Sequence, residues 1–96
     1  MKVVWSNTAL GHLVEIYDYI SRDSPRYAQR MVHRLTSRSK QAGAFPHSGQ
    51  MVAEYQRRDI RELIEGPYRI IYRTDPDQVV VLAVIHGASL PPSQLP

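Results

Sequence analysis

Cysteine is missing from all 96 residues, which removes disulfides and thiolate metal sites and suits a reducing compartment. Long apolar runs are missing too: none nears the roughly 20 residues that span a bilayer, so no membrane partner is expected. The opening Met1-Lys2-Val3-Val4-Trp5-Ser6 has no extended apolar stretch of the secretory kind, and a cytoplasmic location is the expectation. There is no glycine loop to cradle a phosphate and no dinucleotide fingerprint. The four histidines, His12, His33, His47 and His86, show no metal-ligand spacing. Ser48-Gly49 lacks the strand–turn–helix setting of a nucleophile elbow. Neither a cofactor nor a metal is therefore expected.

What is present suffices for one core. Hydrophobic residues make up 43% of the chain, and this length predicts a single domain over residues 1–96. Twelve basic residues face nine acids, for a net charge of +3, and ten of the twelve are arginine. Arginine suits bidentate contact with phosphate or carboxylate, so a nucleic acid or an acidic protein is a natural partner. A solvated basic surface is the equally ordinary reading of a charge this small.

The patterning predicts an α+β fold in the order β-α-α-β-β-β, with room for one more short strand. Val3, Val4 and Trp5 read as a strand. Ser6 or Asn7 can cap a helix that places Leu10, Leu13, Val14, Tyr17 and Ile20 on one stripe and ends near residues 21–23. Ser24-Pro25 restarts the helical pattern, with Ala28, Met31, Val32 and Leu35 as its apolar stripe to about Ala42. So short a turn folds the two helices, about residues 7–42, into an antiparallel hairpin. Gly43 to Gly49 is a loop by its glycine and proline content. Strands are predicted over 51–55, 60–65, 68–73 and 78–85, with Asp75-Pro76-Asp77 as the last turn. They form a mainly antiparallel sheet of three to four strands within residues 50–86, with the hairpin on one face and the other face partly open. The tail, residues 88–96, is rich in proline, cannot extend the sheet and reads as a loose end.

The candidate site residues are Arg61, Arg69 and Arg73 on predicted strands and His86 at the end of the last one, expected to form an exposed strand face that binds a partner. If Arg69 and His86 meet across the last hairpin, the arginine would stabilise charge on a phosphate while the histidine moves a proton. The plainer reading has Arg69 bridging Glu62 or Glu65, and His86 merely ending its strand. Register decides between them. Tyr17, Tyr19 and Tyr27 offer rings on which bases could stack, although a core or edge role is the commoner use of such tyrosines.

Several segments in order resemble one family. Ile16-Tyr17-Asp18-Tyr19-Ile20 with Asp23-Ser24-Pro25 and Ala28 is similar to the helical hairpin of ParE-type toxins. Asp59-Ile60-Arg61-Glu62-Leu63, Gly66-Pro67-Tyr68-Arg69-Ile70-Ile71-Tyr72-Arg73 and Val84-Ile85-His86-Gly87 resemble the sheet of the RelE/ParE superfamily. The resemblance runs from about Val3 to Gly87. It implies the toxin of a type II toxin–antitoxin pair, held by a cognate antitoxin that also carries the contact with operator DNA. Two activities occur on this fold: ParE-like members inhibit DNA gyrase, and RelE-like members cut messenger RNA on the ribosome.

Carried over residue by residue, Arg69 matches the RelE-like arginine that contacts the scissile phosphate. His86 matches a position where some ribonuclease members place His or Tyr. The RelE lysine pair, aligned without gaps, falls at Ile60 and Glu62, and a basic residue usual after the closing strand is replaced by Ala88 and Ser89. Arg61 can stand in only if the register slips by one. The resemblance thus favours a non-enzymatic gyrase inhibitor over a ribonuclease. A third reading is an inactive module that only receives an antitoxin.

Overall fold

The computed structural model describes residues 1–93. Strand β1, Lys2–Trp5, leads straight into helix α1, Asn7–Ser21. Ser6 joins them and fixes their angle. Its Oγ accepts the Ala9 amide at 3.0 Å as an N-cap and also donates to the Leu82 carbonyl, while its own amide bonds Val81. Helix α2, Pro25–Ala44, is capped by the Ser24 hydroxyl on the Tyr27 amide, with Pro25 at the first helical position. Four further strands follow: β2, Gln50–Met51; β3, Ile60–Glu65; β4, Tyr68–Thr74; and β5, Gln78–His86.

The strands form one sheet in the order β1-β5-β4-β3-β2, with β1 parallel to β5 and all other pairs antiparallel. The hairpin of helices covers one face, as expected, but the sheet has five strands instead of three to four. The expected strand over 51–55 shrinks to the two residues of β2. Val52 is where it turns away: the Tyr55 and Gln56 amides bond its carbonyl, and its side chain is fully buried.

The rotation of α1 also differs from expectation. Ala9, Ile16 and the partly buried Leu13 and Ile20 face the sheet, whereas Leu10 and Val14 are 46% and 59% exposed. Ser6 explains this. Its bonds to β5 start the helix with Ala9 pressed against the sheet, which turns Leu10 and Val14 outward.

Two apolar layers fill the domain. On the helix side, Tyr68, Ile70, Val81 and Val84 meet Ala9, Ile16, Met31 and Leu35, and Leu63, Tyr72 and Val79 meet Ala42. On the reverse side, Ile60, Ile71, Val80, Leu82 and Ala83 pack under Val52 with Val4, Tyr55 and Ile85. Each fully buried aliphatic side chain contributes about 1.5–3 kcal/mol. The reverse face is thus a second core roofed by residues 52–59, and much less open than expected. The tail takes part as well: the Tyr55 hydroxyl donates to the Pro92 carbonyl. The end of the expected loose tail, residues 94–96, lies outside the described residues.

A bulge in β5 sets which residues share a face. Ile71 stands opposite Ala83 and Tyr72 opposite Val81, which leaves Leu82 without a partner on β4. Beyond it the alternation inverts. Val84 and His86 therefore point to the helix side, while Val80 and Leu82 point to the other.

Candidate functional site

The register answers the question posed by Arg69 and His86. Arg69 pairs with Ile85 and His86 with Tyr68, so the two side chains lie on opposite faces of the sheet. Arg69 sits on the reverse face between two carboxylates. Its Nε and Nη2 donate to Glu62 at 2.8 and 3.0 Å, and Nη1 and Nη2 donate to Glu54 at 3.1 and 3.0 Å. Only 11% of the side chain is exposed. Hydrogen bonds to Glu62 and then Glu54 raise the Arg69 pKa, and the Arg69 bond in turn lowers that of Glu54. Four of the five N–H donors of this guanidinium are used within the fold, at least one on each nitrogen.

Arg73 shares that face and is similarly held, its Nε 2.8 Å from Asp75 Oδ1. Arg61 is on the helix side. Its Nη1 donates to the carbonyls of Gly49 at 2.9 Å and His47 at 3.5 Å, and its buried Nε has no partner among the described residues. The four residues do not converge: two lie on one face, two on the other, and Arg61 and His86 sit at opposite ends of their strands.

His86 instead belongs to a groove of about 590 Å³ between α1 and the turn joining β3 to β4, lined by His12, Glu15, Tyr19, Tyr68 and His86 among others. Tyr68 meets the His86 ring edge-on, centroids 5.9 Å apart. Burial, with Tyr27 and Tyr19 nearby, pushes the Tyr68 phenol up from its usual value. The groove runs along the stretch of β5 that no strand pairs on this side. Strand β1 pairs with β5 only as far as Val81, and past that point side chains of α1 take over. His12 Nδ1 accepts the Val84 amide at 3.2 Å, much as a strand carbonyl would.

His12 and Glu15 were not among the residues singled out from the sequence, where His12 entered only in the search for metal-ligand spacing. The available signal was a polar residue at position 12 inside the core-facing stripe 9, 13, 16, 20 of α1. Chemically, two imidazoles, a carboxylate and two phenols in an open groove suit recognition of an extended polypeptide through side-chain hydrogen bonds. Among the described residues, no group of three or more His, Cys, Asp or Glu is placed to hold a metal ion. No helix there is long and apolar enough to cross a membrane.

This architecture is that of small toxins from two-component toxin–antitoxin systems. A chain of the chromosomal ParDE TA system from P. aeruginosa superposes with a TM-score of 0.74 at 21% identity, over 90% of this chain and 95% of that one. A YoeB/ParE toxin from Agrobacterium tumefaciens gives 0.59 at 18% identity, over 90% and 98%. In sequence, the chain is 34% identical to Toxin RelE2 of Caulobacter vibrioides over 90 residues, covering 93% of this chain and 98% of that relative. The family described as ParE toxin of type II toxin-antitoxin system, parDE, matches residues 3–91. The chain belongs to that family.

Proposed function

We propose that this toxin acts by binding and inhibiting DNA gyrase, without cutting RNA, and that its cognate antitoxin neutralises it by covering the exposed face of α1 and the groove beside β5. The observation that carries the first part is the separation of Arg69 from His86 by the sheet. A ribonuclease of the RelE kind needs a cation free to meet the phosphate, near a group that moves a proton. Here the one arginine in the matching position is enclosed by Glu54 and Glu62, and Glu62 itself stands where a lysine is required. Two carboxylates at that spot repel a phosphodiester.

For the antitoxin, Leu10 and Val14 offer exposed apolar anchors one turn apart on α1. The groove beside β5, lined by His12, Glu15, Tyr19, Tyr68 and His86, offers polar side chains to an extended segment. Operator DNA would be met chiefly through the antitoxin.

A RelE-like second reading is supported by the name of the Caulobacter relative, Toxin RelE2. One experiment separates the readings. Purified toxin is added to gyrase with relaxed plasmid, and in parallel to a translation extract carrying a defined message. Supercoiling should fall in proportion to toxin while the message stays intact. Intact supercoiling with message cut during translation would overturn the proposal, and loss of neither activity would point to a module that only receives its antitoxin.

A further inference from the structure

Helix α2 carries five basic residues and not one carboxylate in its 20 positions. Four of them, Arg26, Arg30, Arg34 and Arg38, recur at every fourth residue. On an α-helix each such step advances about 6 Å and turns only about 40°, so the four guanidinium groups form a ladder about 18 Å long. The buried residues Ala28, Met31, Leu35, Ser39 and Ala42 face the sheet. The ladder starts opposite them, with Arg26, Arg30 and Arg34 exposed, and drifts toward the flank, where Arg38 is half-buried.

Folding leaves this charge largely unneutralised, in contrast to Arg69 and Arg73. A single carboxylate, Glu65, meets the ladder, 2.7 Å from Arg34 and 4.0 Å from Arg38. Arg26 and Arg30 have no ion pair among the described residues. Between the arginines stand Gln29, His33 and Ser37, all exposed and able to hydrogen-bond a phosphate oxygen. A shallow hollow of about 440 Å³ lies beside the C-terminal half, lined by His33, Arg34, Ser37, Arg38, Gln41 and Glu65.

We propose that the α2 ladder binds the phosphate backbone of duplex DNA, independently of base sequence. Planar arginine forks suit phosphate better than ammonium groups do. A protein partner would need buried apolar anchors at the centre of its footprint. On α2 the only large exposed apolar side chain before residue 45 is Tyr27, at the N-terminal end, whereas α1 exposes Leu10, Val14 and Tyr19. A single strand would need rings alternating with the cations, and one tyrosine at the end of the ladder does not supply them. The two helices thus divide the work: α1 presents an apolar surface to protein, and α2 a polyanion surface to DNA. This surface shares no residue with the β5 groove or with the Arg69 cluster, and it stands whether or not gyrase is the target.

The test uses the full chain, a labelled DNA duplex of mixed sequence and a salt series read by fluorescence anisotropy. Two to four phosphate contacts predict a slope of log affinity against log salt of about −2 to −4. Arg26→Ala with Arg30→Ala should reduce that slope by about two and weaken low-salt binding at least tenfold, equally for an unrelated duplex. Arg57→Ala with Arg58→Ala removes the same charge from the 52–59 loop and should leave the slope unchanged. Arg26→Lys with Arg30→Lys keeps the charge and should keep the slope. All four positions are exposed, and circular dichroism confirms the fold of each variant. Duplex affinity indifferent to the Arg26/Arg30 change overturns the proposal. So does tighter binding of a glutamate-rich peptide, or of duplex RNA of the same sequence, than of the DNA.

Discussion

Arg69 and Glu62 meet diagonally across neighbouring strands, Nε to Oε1 at 2.8 Å, on the side of the sheet away from His86. Both side chains are nearly buried, so removing one partner leaves the other charge stranded in a poor solvent. Arg69→Ala should therefore destabilise the domain by about 2–4 kcal/mol. Replacing both partners with apolar residues of similar size, Arg69→Met with Glu62→Leu, should cost under about 1.5 kcal/mol, with Glu54 free to turn into water. Urea unfolding of the two variants checks this; equal losses would show that the pair is not what holds the position.

Arginine–carboxylate pairs at three places make stability depend on acidity in a definite sense. Arginine bonds hold the carboxyls of Glu54, Asp59 and Asp75 below their ordinary values of 4.5, 3.8 and 3.8. A depressed folded-state pKa contributes stability that is present above the unfolded value and is lost as pH falls through the folded one. Melting temperature should thus be level near neutrality and drop as pH falls below about 4.5. Arg73→Gln, which frees Asp75, should make that drop shallower. A drop as steep as that of the unaltered protein would assign it to other carboxyls.

Two glycines should respond in opposite directions. A Cβ on Gly49 would lie 2.5 Å from the Tyr72 hydroxyl and 2.6 Å from the Glu62 carbonyl, the second of which is backbone and cannot yield. The same Tyr72 hydroxyl accepts the Gly49 amide at 3.0 Å and donates to the Pro46 carbonyl at 2.8 Å. Gly49→Ala should cost about 1–3 kcal/mol through overpacking. A Cβ on Gly11, within α1, meets nothing within 4 Å, so Gly11→Ala should stabilise by about 0.5–1 kcal/mol through helix propensity. Thermal unfolding of the pair is the measurement.

The parts of the fold that follow from local chemistry were legible in the sequence. Ser6 and Ser24 as caps, Pro25 at the first turn and the apolar stripe of α2 all act within a few residues of themselves. The parts that depend on long-range pairing were not. Nothing near Leu82 marks it as the unpartnered residue, yet that one insertion sends His86 to the opposite face from Leu82. Likewise, the outward turn of Leu10 and Val14 comes from Ser6 bonding β5 some 76 residues away. Of the candidate site, the bridge from Arg69 to Glu62 was legible as a cross-strand pair. The contribution of Glu54 was not, because that residue returns from a segment expected to be a straight strand.

His12 should behave as a structural acceptor whose loss is read at a single amide. Its Nδ1 takes the Val84 N–H where β1 has ended. His12→Ala leaves that buried donor unpaired and should cost about 1–3 kcal/mol. Amide exchange should quicken at Val84 well before it does at Val81, which is flanked by strands on both sides. Asparagine places an oxygen near the position of Nδ1, so His12→Asn should restore much of the protection. Failure of the asparagine variant to do so would mean that the imidazole acts by packing alone.

The exposed pair on α1 separates docking from folding. Leu10 and Val14 lie one helical turn apart, each about half in solvent and neither in a core cluster. Leu10→Asp with Val14→Asp should leave the melting temperature within a few degrees of the parent. If these residues anchor the antitoxin, truncating two central apolar contacts and adding two charges should weaken the complex by about 3–5 kcal/mol, a hundredfold or more in Kd. Charge reversal at Arg69 and Arg73 is a poorer probe of the same interface. It would bring like charges onto Glu54, Glu62 and Asp75 and disturb the sheet itself. Calorimetric titration of the α1 variant with the antitoxin decides the matter: unchanged affinity in a folded variant would place the docking surface elsewhere, with the β5 groove and its His12 and Glu15 the next to be altered.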